Sequence, residues 1–448
     1  MEREYQYPVN LFTEVRIENR WTAVYVVQNG EVMRNLETET TGAIVRVYDG
    51  QMWYTSVTNA MEDIQKEIDG LAALATPNPE IYEHPTVRNF GDCRDTVLRY
   101  QGEDSLRKVS EEEREKLVWD YVKVCEDNPI PEVASYRAIL NLENLKKEYY
   151  SSKGAAICQD QQSALFFHVS GILIDGITTG AAKGYSVTSF AELKGHEEEI
   201  LAERERYLRY AKEAVDVKPG DYTCVLAPSV TAMFTHESFG HKSESDFMLN
   251  DKTLREEWIL GKKVGSELVS ISDDGALPYS GYVPYDDEGN RAVRTDLITK
   301  GVLTGRLHDS HSAAVLGETI TGNARAQSYY FSPVVRMTNT IMAAGESDPE
   351  DIIAGVQDGV YIYGVNYGTG SATFTLQPNC CYRIRDGKLC EPLRVNVVTG
   401  SVFEALFDVD AVGNDLRIIN EGVCGKNGQS VNVSMGGPTI RVKKLSVN

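Results

Sequence analysis

Trp21-Thr22-Ala23-Val24-Tyr25-Val26-Val27-Gln28 leads into Asn29-Gly30 and on to a second strand from Glu31. Asn-Gly tolerates the positive φ angles of a two-residue hairpin, so these residues place an antiparallel pair near the start of the chain. Asp49-Gly50 repeats the signal between Ala43-Ile44-Val45-Arg46-Val47-Tyr48 and Gln51-Met52-Trp53-Tyr54-Thr55. An antiparallel meander over residues 11–57 follows. A helix is then predicted from Asn59 to about Ala75, with Asn59 and Glu62 at capping-box spacing and Met61, Ile64, Ile68, Leu71 and Ala75 recurring at helical intervals.

Ser110 and Glu113 mark a second helix carrying Leu117, Val118, Tyr121, Val124 and Cys125, which Asn128-Pro129-Ile130-Pro131 ends. Two or three strands are expected between Val133 and Gly176. A long helix capped by Ser189 with Glu192 should then bury Ile200, Leu201, Tyr207, Leu208, Ala211 and Val215. Lys218-Pro219-Gly220 breaks that pattern and places a domain boundary within about ten residues of it. Beyond it lie short apolar runs separated by turns such as Glu288-Gly289-Asn290 and Asp386-Gly387. Tyr361-Ile362-Tyr363, Val395-Asn396-Val397-Val398 and Thr439-Ile440-Arg441-Val442 have strand composition. The expected fold is α+β in two domains: 1–217, an antiparallel sheet with helices, and 218–448, mostly antiparallel β. No internal repeat points to a solenoid or propeller.

The chain has 448 residues, 42% hydrophobic and 25% charged, which is the composition of a folded soluble protein. A net charge of −21 repels nucleic acid and anionic membranes at long range, and no basic patch is visible to offset it. Met1-Glu2-Arg3-Glu4-Tyr5-Gln6-Tyr7-Pro8 shows no signal or transit peptide, and no apolar run approaches the ~18 residues of a membrane span. A cytoplasmic protein is expected. Its eight cysteines include no C-x-x-C pair and read as reduced thiols, free to bind metal.

Two of the seven histidines lie in Thr235-His236-Glu237-Ser238-Phe239-Gly240-His241, an H-E-x-x-x-H pattern. Histidines four apart stand about 40° apart around an α-helix, whereas five apart they diverge by about 140°. A π-type turn, with roughly 4.4 residues per turn, brings them back to within about 50°. Gly240 eases that distortion, and Pro228-Ser229 supplies a helix start. Glu237, next to one histidine and four before the other, can then reach a water on a metal held by His236 and His241. The alternative from the same residues is a solvated helix end with one histidine satisfied in the core.

A catalytic zinc site needs a third protein ligand, for which His308, His311, Cys380, Cys381, Cys390 and Cys424 are candidates. Cys424 is preferred, because it stands in the polar, glycine-flanked Asn420-Glu421-Gly422-Val423-Cys424-Gly425-Lys426, whereas packing cysteines have apolar neighbours. His308-Asp309-Ser310-His311 reads as an exposed loop or helix start. Tyr367-Gly368-Thr369-Gly370-Ser371 lacks the lysine and hydroxyl of a phosphate-binding loop.

With these motifs the sequence resembles the TldD/PmbA family, described as zinc metallopeptidases and historically as modulators of DNA gyrase. The resemblance rests on His236 to His241, Asp286-Asp287-Glu288-Gly289, Gly301-Val302-Leu303, Thr321-Gly322-Asn323-Ala324-Arg325 and Arg336-Met337-Thr338-Asn339-Thr340. It continues through Phe407-Asp408-Val409-Asp410-Ala411-Val412-Gly413-Asn414-Asp415 and Cys424-Gly425-Lys426-Asn427-Gly428-Gln429-Ser430. It implies zinc bound by His236, His241 and Cys424, with Glu237 as general base, and the TldD-like branch that keeps H-E-x-x-x-H. It also implies a homodimer, or a heterodimer with an inactive paralogue, whose cavity admits unfolded peptides. The chain begins close to its first strand, so an N-terminal helix common in the family is expected to be absent.

The resulting expectation is a zinc-dependent peptidase acting on small unfolded peptides or peptide precursors. The alternative is a non-catalytic partner or regulatory protein with a structural metal or none, in which Glu237 would be dispensable. Action on DNA is disfavoured by the charge.

Overall fold

Asn29 and Gly30 adopt φ of 49° and 79°, and around them strand β1 (Phe12–Gln28) turns back as β2 (Glu31–Tyr48). The computed structural model describes residues 3–174, 177–370 and 373–448. Strand β3 (Trp53–Thr58) completes the meander. Its loop departs from the expected two residues: Tyr48 pairs with Trp53, and Asp49 Oδ1 accepts from the Gln51 and Met52 amides at 2.8 Å, which builds a four-residue connection.

Strands β4 (Arg94–Val97), β5 (Val133–Ser151), β6 (Ala156–Ile174) and β7 (Ile177–Val187) complete a seven-stranded sheet. Its order is β3-β2-β1-β5-β6-β4, with β7 also on β6. One face is covered at one end by the helix Ile64–Ala72, whose Ile64, Ile68 and Leu71 meet Val15, Ile17, Ala43, Val45 and Val47. Helix Glu111–Asp127 covers the other end, with Leu117, Val118, Tyr121, Val122 and Cys125 against Trp21, Tyr25, Leu140 and Phe166. Its Ser110–Glu113 capping box forms as the sequence indicates.

Other boundaries move. Asn59 caps nothing: its amide donates to Thr41 O and to Tyr329 Oη, and a 3₁₀ turn at Met61–Asp63 precedes the helix. Ser189 heads only a 3₁₀ turn, Phe190–Leu193, and makes no side-chain cap. Gly195, at φ 86°, then redirects the chain, so the long helix runs Glu197–Glu213. Val215 leaves it as an exposed residue of β8 (Val215–Asp216).

In the C-terminal half, β9 (Gly220–Leu226) precedes the helix Pro228–Thr235. Short strands follow: β10 (Ile271–Asp273), β11 (Thr295–Thr299), β12 (Val302–Leu303), β13 (Ala324–Arg325), β14 (Val334–Val335) and β15 (Asn339–Met342). The long pair β16 (Asp358–Gly370) and β17 (Thr373–Arg385) leads to β18 (Lys388–Arg394), β19 (Val398–Ser401) and β20 (Val409–Val412). Last come β21 (Arg417–Lys426), β22 (Gln429–Gly437) and β23 (Ile440–Val447). Of the expected strand Val395 to Val398, only Val398 is in β19, because the Asn396 and Val397 amides bond the Asn448 carbonyl.

Three sheets result. One has the order β12-β11-β10-β15-β22-β21, β13 and β14 form a two-stranded sheet, and in the third β16, β9, β23, β19 and β17 pair in a closed ring. Leu226, Val230, Phe234, Val360, Ile362, Phe374, Leu376, Val398 and Ile440 belong to the core that fills this half. The chain is α+β and mostly strand. Among the described residues no helix is long and apolar enough to cross a membrane.

The open face of the N-terminal sheet meets the C-terminal half through charge. Arg16 donates to Ser328 O and Phe331 O, both at 2.9 Å, and Lys147 Nζ lies 2.8 Å from Asp287 Oδ1. Gly91 passes so close to Gly289 that an added Cβ would be 1.8 Å from its carbonyl oxygen.

Candidate metal centre

Pro228 occupies the first turn of its helix, where a missing amide hydrogen costs nothing, and Val230, Ala232 and Phe234 anchor the helix in the core. The helix then widens. His236–Gly240 forms a π-turn closed by the His241 amide on the His236 carbonyl. The five-residue spacing is thereby reconciled with a shared face, and the two imidazoles stand 5.1 Å apart at 79°. Gly240 is required by packing as well, since a Cβ there would lie 1.9 Å from Met337 Sδ.

Strand β21 brings in Cys424, 183 residues away in sequence from His241. Asn427 and Gly428, at φ 52° and 72°, form the turn into β22 and fix the cysteine in the last residues of β21. Cys424 Sγ is 3.4 Å from His241 Nε2, and one donor atom from each of His236, His241 and Cys424 lies within 4.8 Å of the others. Among the described residues this is the one such group of three or more.

The other candidates lie outside it. His308 is buried, with Nδ1 2.9 Å from Ser245 Oγ and Nε2 2.9 Å from Glu318 Oε2, so both ring nitrogens are engaged. His311 is exposed, its Nδ1 3.4 Å from Thr86 Oγ1. Cys380 and Cys381 are buried in β17, and Cys390 lies half-buried on β18.

Imidazole and thiolate donors in this number suit a borderline-soft divalent ion. His236 Nδ1 is a buried ring nitrogen with no hydrogen-bond partner among the described residues, a cost that a cation would remove. Burial, then His241 and Arg336, push the His236 pKa down to about 3, leaving a neutral ring with a lone pair. Burial also opposes charge on His241, but hydrogen bonds to Cys424 and Glu244 and the Glu244 carboxylate outweigh it and raise its pKa to about 10.

Glu237 follows His236 directly, half-buried, and burial raises its pKa against the pull of His241. The glycine-rich end of β16 closes over it. A Cβ at Gly368 would lie 3.1 Å from Glu237 Cγ, and one at Gly370 would lie 2.3 Å from Glu237 O. These glycines serve close approach of backbone to the histidine turn, and Ser371 of the same stretch lies outside the described residues.

Three residues here escaped the sequence reading. Glu244, given no role there, has its Oε2 3.0 Å from His241 Nδ1. Lys426 reaches Glu244, and Arg336 donates to Cys424 O and to Gln429 O. The available signals were Glu244 one turn after His241 and Lys426 two residues after Cys424 on a strand.

Fold and donor set together define the class: an α+β protein in which a π-turn aims two histidines at a strand-borne cysteine, a cluster suited to a metal ion. Residues 219–448 match the PmbA/TldA metallopeptidase C-terminal domain and residues 13–75 match domain 1 of the same family. The chain belongs to the PmbA/TldD metallopeptidase family. It is 30% identical over 402 residues to a zinc metalloprotease TldD homologue of Saccharolobus solfataricus, covering 80% of this chain and 87% of that one. A metalloprotease of Methanocaldococcus jannaschii is 28% identical over 441 residues, covering 96% and 95%. Among solved structures, a Thermotoga maritima MSB8 protein described as a candidate modulator of a DNA gyrase superposes with a TM-score of 0.80 at 17% identity, covering 98% of this chain and 96% of that one. TldE from Thermococcus kodakarensis gives 0.76 at 16%, covering 97% and 96%.

Proposed function

We propose that the protein is a zinc-dependent peptidase that hydrolyses peptide bonds in small unfolded peptides or peptide precursors. The observation that carries this reading is the meeting of His236, His241 and Cys424 within 4.8 Å, with Glu237 beside the first of them. His236, His241 and Cys424 would hold the ion. Zinc, when bound, supplies a Lewis acid that acidifies water and polarises a carbonyl. Glu237 takes a proton from the attacking water and returns it to the leaving amine, and its raised pKa suits both transfers. A thiolate ligand donates more charge than a third imidazole, so turnover is expected to be slow and confined to selected peptides.

Strand β21 supports an extended substrate. It is the outer strand of its sheet, pairs with β22, and carries Cys424, so a peptide adding along its other edge would place main-chain carbonyls beside the cluster. Main-chain pairing of this kind requires an unfolded segment and little sequence preference. We further infer from the family resemblance a dimer, either of this chain or with a paralogue of the same fold, each chain comprising an N-terminal unit, 1–217, and a metal-binding unit, 218–448.

The test is metal content by mass spectrometry on wild type, His236→Ala, Cys424→Ser and Glu237→Gln, with cleavage of an unfolded peptide followed in the same samples. About one zinc per chain, lost in the ligand variants and kept without activity in Glu237→Gln, is the expected result. Stoichiometric metal with no cleavage, or unchanged function in Glu237→Gln, favours a non-catalytic partner instead.

A further inference from the structure

We propose that Glu244 and Lys426 form a buried ionic brace that sets His241 against Cys424, so that both are positioning residues for the metal-binding cluster. The inference rests on reading that cluster as a metal centre. The 3₁₀ turn His241–Ser243 carries Glu244 beneath the His241 ring, where its Oε2 lies 3.0 Å from Nδ1. Glu244 is fully buried, and its other oxygen accepts from the Met337 amide at 3.3 Å. Lys426 Nζ lies 3.2 Å from Glu244 Oε2, 2.7 Å from Asp246 Oδ1 and 2.8 Å from Val335 O. Lys426 follows Cys424 by two residues on β21, so both side chains project from one face of the strand.

The brace therefore closes a short circuit. Glu244 stands three positions after His241, one ion pair joins it to Lys426, and Lys426 stands two positions after Cys424. By engaging Nδ1, Glu244 fixes the tautomer and turn of the imidazole so that Nε2 faces Cys424 Sγ at 3.4 Å. Lys426 holds that carboxylate in place and ties it to the strand that supplies the thiolate. A buried ion pair is a poor source of stability in itself, whereas a role in holding donor atoms in register accounts for its position here.

The experiment titrates zinc into wild type, Glu244→Gln, Lys426→Met and the double variant against a competing chelator, with thermal unfolding of each zinc-free protein as a folding control. Cobalt(II) spectra report the near-ultraviolet thiolate band, which Cys424→Ser abolishes. The expected result is a loss of about 10- to 100-fold in zinc affinity for each single variant, with a weakened thiolate band in Lys426→Met. The double variant binds no more weakly than the worse single one, because the two residues act as one unit. Glu318→Gln, which removes the carboxylate charge facing His308 outside the cluster, leaves zinc affinity unchanged. Where Glu244→Gln does not fold, Glu244→Asp keeps the charge, withdraws the carboxylate by one methylene, and loses affinity likewise. Folded variants that bind zinc within about threefold of wild type and keep the thiolate band overturn the brace. Losses that multiply in the double variant overturn its action as a unit. A wild type that takes up no zinc defeats the metal reading itself and the brace with it.

Discussion

Lys147 Nζ and Asp287 Oδ1 meet at 2.8 Å, and both side chains are almost wholly buried where the N-terminal sheet faces the C-terminal half. Burial alone would raise the Asp287 carboxyl, but Lys147 and Arg16 reverse this and hold its pKa at about 2. Removing Lys147 leaves the buried Asp287 carboxylate with Arg16 as its charged partner, at the longer distance of 3.7 Å. Lys147→Met is therefore expected to cost about 3–5 kcal/mol in urea unfolding. Lys147→Met with Asp287→Asn should recover part of that loss; a double variant as unstable as the sum of the singles would show that the two do not act as a pair.

Gly240 lies against Met337 with no room for a methyl group, although its own φ of −55° suits any residue. Gly240→Ala must push aside a fully buried side chain, at a cost of about 1–3 kcal/mol. Because His241 is the next residue, zinc affinity should fall together with stability. Met337→Ala in the same chain opens the space, and the double variant should bind zinc more tightly than Gly240→Ala alone, as read by chelator competition. Failure of that rescue would place the defect in the π-turn backbone.

His168, on the core face of β6, has its Nε2 3.2 Å from Cys125 Sγ and is 1% exposed. Burial, then Arg204, lower its pKa from 6.5 to about 4. The folded ring stays neutral where the unfolded one is protonated, so this contribution to stability is fully present above pH 6.5. It is lost progressively as pH falls from 6.5 to about 4, by at most roughly 3 kcal/mol at about 1.4 kcal/mol per pH unit. Wild type minus His168→Leu, compared by denaturant unfolding at several pH values, should show that slope. Parallel pH profiles for the two proteins would assign the acid sensitivity elsewhere.

The elements legible in the sequence were those whose cause is local. Asn29-Gly30, the Ser110–Glu113 box, Pro228 and the π-turn each act over five residues or fewer, and each stands where its spacing indicates. Signals failed where a distant partner competed for the same side chain. Asn59 is drawn to Tyr329, 270 residues away, and so leaves its helix uncapped. Asp49 spends its carboxylate on the amides of its own loop and lengthens the turn. Strand β7, with Gly180-Ala181-Ala182-Lys183-Gly184 at its centre, lacks the branched residues that mark a strand and is held by pairing with β6. At the candidate metal centre, the H-E-x-x-x-H turn was readable from periodicity. Cys424 stood out among the candidate third ligands by its polar, glycine-flanked stretch, but its approach to the histidines depends on the register of β21 with β22, which no spacing within the chain encodes. Glu244, one turn after His241, and Lys426, two residues after Cys424, were marked by spacing alone, and a carboxylate and an amine so placed become a buried pair only after that register is set.

The end of β16 supplies a prediction that separates metal binding from activity. Gly370 passes so near the histidine turn that an added Cβ would lie 2.3 Å from Glu237 O and 2.7 Å from its carbonyl carbon. Backbone cannot yield as a side-chain tip can, so Gly370→Ala must displace either the β16 strand end or the peptide unit of Glu237. His236 is anchored by the preceding helix and His241 by Glu244, which leaves Glu237 as the group that moves. On the proposed role of Glu237 as general base, a displacement of about 1 Å costs on the order of 100-fold in rate. Gly370→Ala is therefore expected to retain zinc close to the wild-type content while its kcat on an unfolded peptide falls by that order. Full activity with full metal would show that the strand end yields freely and does not set the position of Glu237. Loss of metal together with activity would show that the β16 strand end supports the histidines as well.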